Sequence, residues 1–272
     1  MSKLVFGLTS GFVPWCGRGG TWKQVLPKIL DTFENSVLIS AANSTYILAE
    51  VLYEAVGKER LFLDSGGYTL FRKQSQLGEE DFAKLCEKMR RKFLKMLSIA
   101  EYRMIFELDN EYFRKDEDLM SPKNYCRQDV FDAIGEYPTP VFKMHQGFKY
   151  WKDLCESELY PTLAIGGLAP TRSWHVYREE LVKMLNYARQ NGKKVHLLGC
   201  QNVETFKLVK PDSVDYCIAQ YAINFAHARR EYPDMDPNDQ VFLRCMAMHA
   251  FAKAKSRSFL YDSLEDDGSE DE

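Results

Sequence analysis

Carboxylates stand at or near the ends of apolar runs in this sequence, and that placement is where chemistry could reside. Residues 61–70 read Leu-Phe-Leu-Asp-Ser-Gly-Gly-Tyr-Thr-Leu. A buried strand there stops at Asp64, and Gly66-Gly67 then let the backbone turn tightly and lie bare against a ligand. Asp109 closes a second apolar run, Asp215 lies in another, and two more end in Gln146-Gly147 and Gly166-Gly167. A carboxylate accepts paired N–H bonds, a primary amide offers both senses, and a glycine N–H reaches a ring carbonyl. Such a set suits a flat polar heterocycle. Two carboxylates about a glycosidic carbon also fit glycosyl chemistry, one attacking C1′ while the other exchanges a proton with the base. Read singly, Asp64 is equally well a cap for the following helix.

Strands must hold these groups. Apolar runs at 3–9, 36–41, 61–64, 104–109, 140–146, 162–167, 194–199 and 213–217 read as eight strands. Helical spacing falls between them at 22–33, 44–56, 79–97, 174–190 and, briefly, 203–208. Strands alternating with helices predict an α/β protein with a parallel sheet, closed as a (βα)8 TIM barrel whose C-terminal strand ends carry the site. An open doubly wound sheet is the competing arrangement. It calls for a Gly-x-Gly-x-x-Gly turn after the first strand, which is missing. A further helix at 237–255 follows, so residues 1–260 read as one barrel domain with a C-terminal helical extension. Residues 261–272 form an acidic tail without core residues and read as disordered.

The 272 residues are 45% hydrophobic and 13% aromatic, ample for a large core. The net charge of −3 excludes a polybasic binder, although the six carboxylates of the tail outweigh that total and leave +3 on the body. Arg229, Arg230, Lys253, Lys255 and Arg257 form either a solvated face or a surface contacting phosphates. No apolar run approaches the roughly 18 residues that span a bilayer, and no secretory signal is visible. Seven scattered cysteines read as reduced thiols, so the expected setting is the cytoplasm without membrane association. His145 and His196 fall within apolar strands and read as core histidines.

The order Asp64-Ser65-Gly66-Gly67-Tyr68, Gln146-Gly147, Ile165-Gly166-Gly167-Leu168-Ala169 and His196-Leu197-Leu198-Gly199 resembles the tRNA-guanine transglycosylase family over residues 36–217. The resemblance implies ping-pong base exchange in a polynucleotide. Asp215 would be the nucleophile on C1′ and Asp64 the general acid/base. Asp109, Gln146, Gly166, Gly167 and Ser65 would line the base site, Tyr68 would stack on the base, and Leu168 and Leu198 would shape the pocket. The target nucleotide must leave its helix to enter.

Departures narrow the expectation. The Cys-x-Cys-x-x-Cys…His zinc site of the tRNA enzymes is missing, and the spacing of Cys217, His227, Cys245 and His249 matches no structural zinc pattern. Thr69 stands where the family has glutamine. No metal or other cofactor is therefore expected. A chain lacking the zinc subdomain is most similar to the bacteriophage branch, which inserts 7-deazaguanines into DNA. The expected function is exchange of guanine in DNA for 7-cyano-7-deazaguanine or a relative. Alternatives are the tRNA reaction, or a non-catalytic nucleic-acid-binding subunit. A homodimer or a helper protein is compatible with each.

Overall fold

The computed structural model describes residues 3–8, 36–108, 125–167, 177–199 and 208–216. It is a mixed α/β structure around an eight-stranded parallel sheet. The strands are β1 (Lys3–Leu8), β2 (Ser36–Ser40), β3 (Leu61–Asp64), β4 (Met104–Ile105), β5 (Val141–Lys143), β6 (Thr162–Gly166), β7 (Lys194–Leu197) and β8 (Ser213–Tyr216). Their order in the sheet is β4-β3-β2-β1-β8-β7-β6-β5. Beyond the two edge strands, Phe106 and Thr139 form a parallel bridge. The Glu107 N–H donates to Thr139 O at 3.0 Å and the Thr139 N–H to Ile105 O at 2.7 Å.

Helices connect the strands: α1 (Tyr46–Val56), α2 (Gly67–Gln74), α3 (Glu79–Leu97), α4 (Tyr125–Ile134), α5 (Phe148–Glu156) and α6 (Arg178–Gln190). The longest, α3, matches its sequence expectation residue for residue. Cys86, Met89, Phe93, Met96 and Leu97 form its buried stripe, and Glu79, Glu80 and Asp81 complement the positive end of its dipole. Among the described residues no helix is long and apolar enough to cross a membrane.

Alternation along each strand sorts the side chains onto two faces. Val37, Ile39, Leu61, Leu63 and Ile105 pack against α1 and α3. Phe142, Leu163, Ile165, Val195, Leu197 and Val214 pack against α5 and α6, where the Trp151 indole N–H also binds Met184 O at 2.9 Å. The opposite face carries a separate cluster of Leu38, Phe62, Phe106, Val141 and Ala164, with Leu198 against it. The rings of Phe106 and His196 approach to 4.8 Å across this face, although β4 and β7 are not neighbours in the sheet. The sheet is therefore strongly curved. By the same alternation, Asp64, Gly166, His196, Ser213 and Asp215 belong to this inner face.

Several expected bounds move. The fifth strand ends at Lys143, not at 146, because Met144–Gln146 turns into a 3-10 helix. His145 is thus exposed, which corrects its reading as a core histidine. The fourth strand is two residues long. Its expected end, Asp109, lies outside the described residues, as do helix 22–33, most of 203–208, the helix at 237–255 and the tail. Apolar periodicity does not announce α4 or α5, and α2 is expected only as the helix that Asp64 could cap.

Candidate active site

The sequence at the end of β3 dictates an abrupt turn. Gly66 has φ +95°, and a Cβ built there would lie 2.3 Å from the Ala42 Cβ, so no other residue fits without displacement. The turn brings the Gly66 N–H to Asp64 Oδ2 at 2.9 Å. Asp64 thus braces the turn leading into α2 without capping that helix, whose N-cap is Gly66 with no side-chain cap bond, and it remains a half-buried carboxylate at a strand end. Ser65 is buried. Tyr68, in the first turn of α2, is 56% exposed, so its ring is free to stack on something else. Thr69 accepts a hydrogen bond from Asn43 Nδ2 at 3.3 Å and ties this turn to the loop after β2.

Across the inner face, Asp215 on β8 is 5% exposed. Its Oδ1 accepts the N–H of Gly199, just beyond β7, and lies 3.5 Å from His196 Nε2. Register pairs His196 with Ser213, and their side chains meet at 2.8 Å between Nδ1 and Oγ. Asp64 and Asp215 therefore share one face near the C-terminal end of the sheet, with β2 and β1 between their strands.

Gly166 closes β6. It is buried, and a Cβ there would lie 2.8 Å from Val141 Cγ1 and 3.7 Å from Leu198 Cδ1. Gly167 follows, exposed at φ +76°, with open space where a Cβ would stand. Leu198 sits half-buried beside them. Gln146 is half-buried, but its Oε1 accepts the Lys143 N–H at 2.8 Å, which uses one lone pair of the amide expected to read a base. Asp109, Leu168, Arg229, Arg230, Lys253, Lys255 and Arg257 lie outside the described residues.

Sequence reasoning missed a buried ionic cluster beside this face. Glu107, two residues before Asp109, holds Arg127 through both guanidinium Nε and Nη2. Arg127 Nη2 also donates to the Tyr150 hydroxyl at 2.6 Å, and its guanidinium lies 5.4 Å from the Tyr160 ring centre. The Val141 N–H completes the Glu107 shell at 2.7 Å. Glu107 is consequently a strut between β4 and β5 rather than a spare catalytic carboxylate. A single Arg in the Tyr125–Ile134 segment carried no local sign of that partner.

No family model and no curated protein matches the sequence. Among solved structures, the chain is similar to one described as a fructose-1,6-biphosphate aldolase from Coccidioides immitis, at 13% identity and TM-score 0.48, covering 90% of this chain and 86% of that one. It is also similar to CitE of Mycobacterium tuberculosis, solved with magnesium, acetoacetate and coenzyme A. There the identity is 11% and the TM-score 0.43, over 90% of this chain and 98% of that one. Likeness at this level carries no argument about chemistry.

Chemistry must come from the side chains. Asp215 is a carboxylate with one oxygen engaged by fixed groups, and Asp64 is a second carboxylate at the same sheet end with a backbone donor. Gly167 leaves open space beside its backbone, whereas the space at Gly166 is taken by Val141 and Leu198.

Proposed function

We propose that this chain is a closed (βα)8-barrel transglycosylase that exchanges guanine in DNA for a 7-deazaguanine base. The observation carrying this reading is the pair Asp64 and Asp215, on one inner face near the C-terminal strand ends, each carboxylate holding a glycine N–H. In the first half-reaction the free oxygen of Asp215 attacks C1′ as the glycosidic C–N bond breaks. The bonding pair leaves with guanine, and Asp64 supplies its proton. In the second, an incoming 7-deazaguanine gives its ring N–H proton to Asp64 and attacks C1′. Asp215 departs as a carboxylate, and two displacements retain the sugar configuration. Tyr68 offers a stacking face, and the Gly167 N–H is a donor for the carbonyl edge of the base. The choice of DNA over tRNA rests on the missing Cys-x-Cys-x-x-Cys motif after Asp215.

The deciding experiment is incorporation of isotopically labelled guanine into separate DNA and tRNA substrates. Label entering DNA, lost in Asp215→Asn and reduced at least about 100-fold in Asp64→Asn, is the expected result. Label entering tRNA instead would move the substrate to RNA. Full exchange by Asp215→Asn overturns the mechanism, and no exchange with either polymer favours a nucleic-acid-binding subunit.

A further inference from the structure

We propose that His196 is a positioning residue for Asp215, its imidazole tautomer set by Ser213. The inference deepens the base-exchange reading above and rests on it for its catalytic consequence. The geometry stands independently.

His196 is fully buried on the inner face, between Phe106 at 4.8 Å and Phe62 at 6.3 Å between ring centres. Nδ1 meets Ser213 Oγ at 2.8 Å. Nε2 has no hydrogen-bond partner within ordinary reach, yet it faces Asp215 Oδ1 at 3.5 Å. A neutral imidazole has one donor and one acceptor nitrogen, whereas a hydroxyl can play either part. If Nδ1 carried the hydrogen, the Nε2 lone pair would point at a carboxylate oxygen inside an apolar enclosure, two acceptors face to face. If the Ser213 hydroxyl donates to Nδ1, the hydrogen sits on Nε2 and points at Asp215. The second arrangement satisfies Ser213 and Nδ1 and turns the Nε2–H, at 3.5 Å, toward a negative oxygen instead of a lone pair.

Oδ1 of Asp215 then holds the Gly199 N–H, with the His196 Nε2–H 3.5 Å away as a nearby dipole rather than a formed hydrogen bond, and Oδ2 is left to face C1′. A carboxylate held by one donor and faced by a second is oriented before the substrate arrives, which lowers the cost of reaching the attack geometry. The same donors receive the charge that returns to Asp215 when the glycosyl ester is displaced. Alternation alone puts His196, Ser213 and Asp215 on one face. It does not explain an imidazole buried between two phenyl rings with its second nitrogen turned toward the carboxylate.

The test uses the full chain labelled with 15N-histidine, with His196 assigned by the signal lost in His196→Phe, a variant that keeps the aromatic packing. The expected spectrum is the Nε2–H tautomer, with its proton resonance shifting upfield in Asp215→Asn. In the exchange assay, His196→Phe should lower kcat by about tenfold to a hundredfold, the range for groups that orient a reacting ligand, with KM for the polynucleotide nearly unchanged. An Nδ1–H tautomer, or an Nε2–H signal indifferent to Asp215→Asn, overturns the proposal whatever the activity. Unchanged kcat in His196→Phe overturns the positioning role. Wild-type protein without exchange, but with the expected tautomer and response, supports the His196–Asp215 pair and removes the base-exchange reading instead.

Discussion

Arg127 has no exposed surface, and burial by itself would push its guanidinium toward neutrality. Contact with Glu107 reverses that and raises it overall, so the charge is retained inside the protein. A buried pair of this kind contributes little against an apolar substitute, but breaking it strands a charge. Arg127→Met should therefore cost about 3–5 kcal/mol in urea unfolding with an unchanged slope. The double variant Arg127→Met/Glu107→Leu should recover part of that loss, not all, because the Val141 N–H loses its acceptor. Equal losses in the single and double variants would contradict the account. Two thiols give a pH prediction. Burial pushes Cys86 up to about 11 and Cys155 to about 12, from an ordinary 9.0. Folding thus disfavours the thiolate, so this contribution is intact below pH 9 and is lost as pH rises toward 11–12. Native protein at pH 8 should leave both thiols unmodified by a thiol reagent. Stability should also fall less between pH 9 and 11 in Cys86→Ala/Cys155→Ala than in the wild type.

At the scale of elements, the turn from β3 into α2 concentrates the most constraint in the fewest atoms. Gly66→Ala would add a methyl group 2.3 Å from the Ala42 Cβ at a φ of +95°, so both overlap and backbone strain oppose it. The expected loss is roughly 1–3 kcal/mol or more in thermal unfolding. Exchange activity should fall further than stability explains, since Asp64 takes the Gly66 N–H. Gly78→Ala is the control. That glycine precedes α3 at φ −65° with nothing within 4 Å of an added Cβ, and its replacement should change the melting temperature little. Legibility follows the same physics. Helix α3 and strand β3 were readable to the residue because apolar periodicity and abrupt polar ends coincide in each. Helix α2 is expected only as a helix following Asp64, without bounds, since it is short and starts directly after the glycine that makes the turn. The fifth strand was overread because the apolar character of Val141 and Phe142 runs on into Met144, while the Gln146 side chain folds back to cap the Lys143 N–H. Asp64 and Asp215 could be nominated from strand ends. The link from His196 to Asp215 could not, since it arises from β7–β8 register rather than from any local pattern.

For the whole molecule, the decisive question is what joins β4 to β5, the two strands that end the hydrogen-bonded order. The Phe106–Thr139 bridge is the whole backbone ladder between them among the described residues. Thr139 lies between Pro138 and Pro140, so it alone in that tripeptide has an N–H to give, and it gives it to Ile105 O. The Glu107–Val141 contact reinforces the seam from one side. If this joint closes the sheet into a barrel, opening it exposes the inner cluster of Phe62, Phe106 and Val141, and it should open only with the whole domain. Native-state hydrogen exchange should then give the amides of Glu107 and Thr139 the same opening free energy as those of Ile39 and Leu63 in the adjoining strands. Thr139→Pro removes the Thr139–Ile105 bond. In a closed barrel it should lower the global stability and speed exchange at the three amides that remain, those of Glu107, Ile39 and Leu63, together. Should the Glu107 and Thr139 amides exchange orders of magnitude faster than Ile39 and Leu63 in the wild type, with Thr139→Pro leaving the latter pair unchanged, the sheet opens at this seam. Asp64 and Asp215 would stay joined through β2 and β1, but the inner face they share would be free to flatten, and the pocket that base exchange requires would lose its frame.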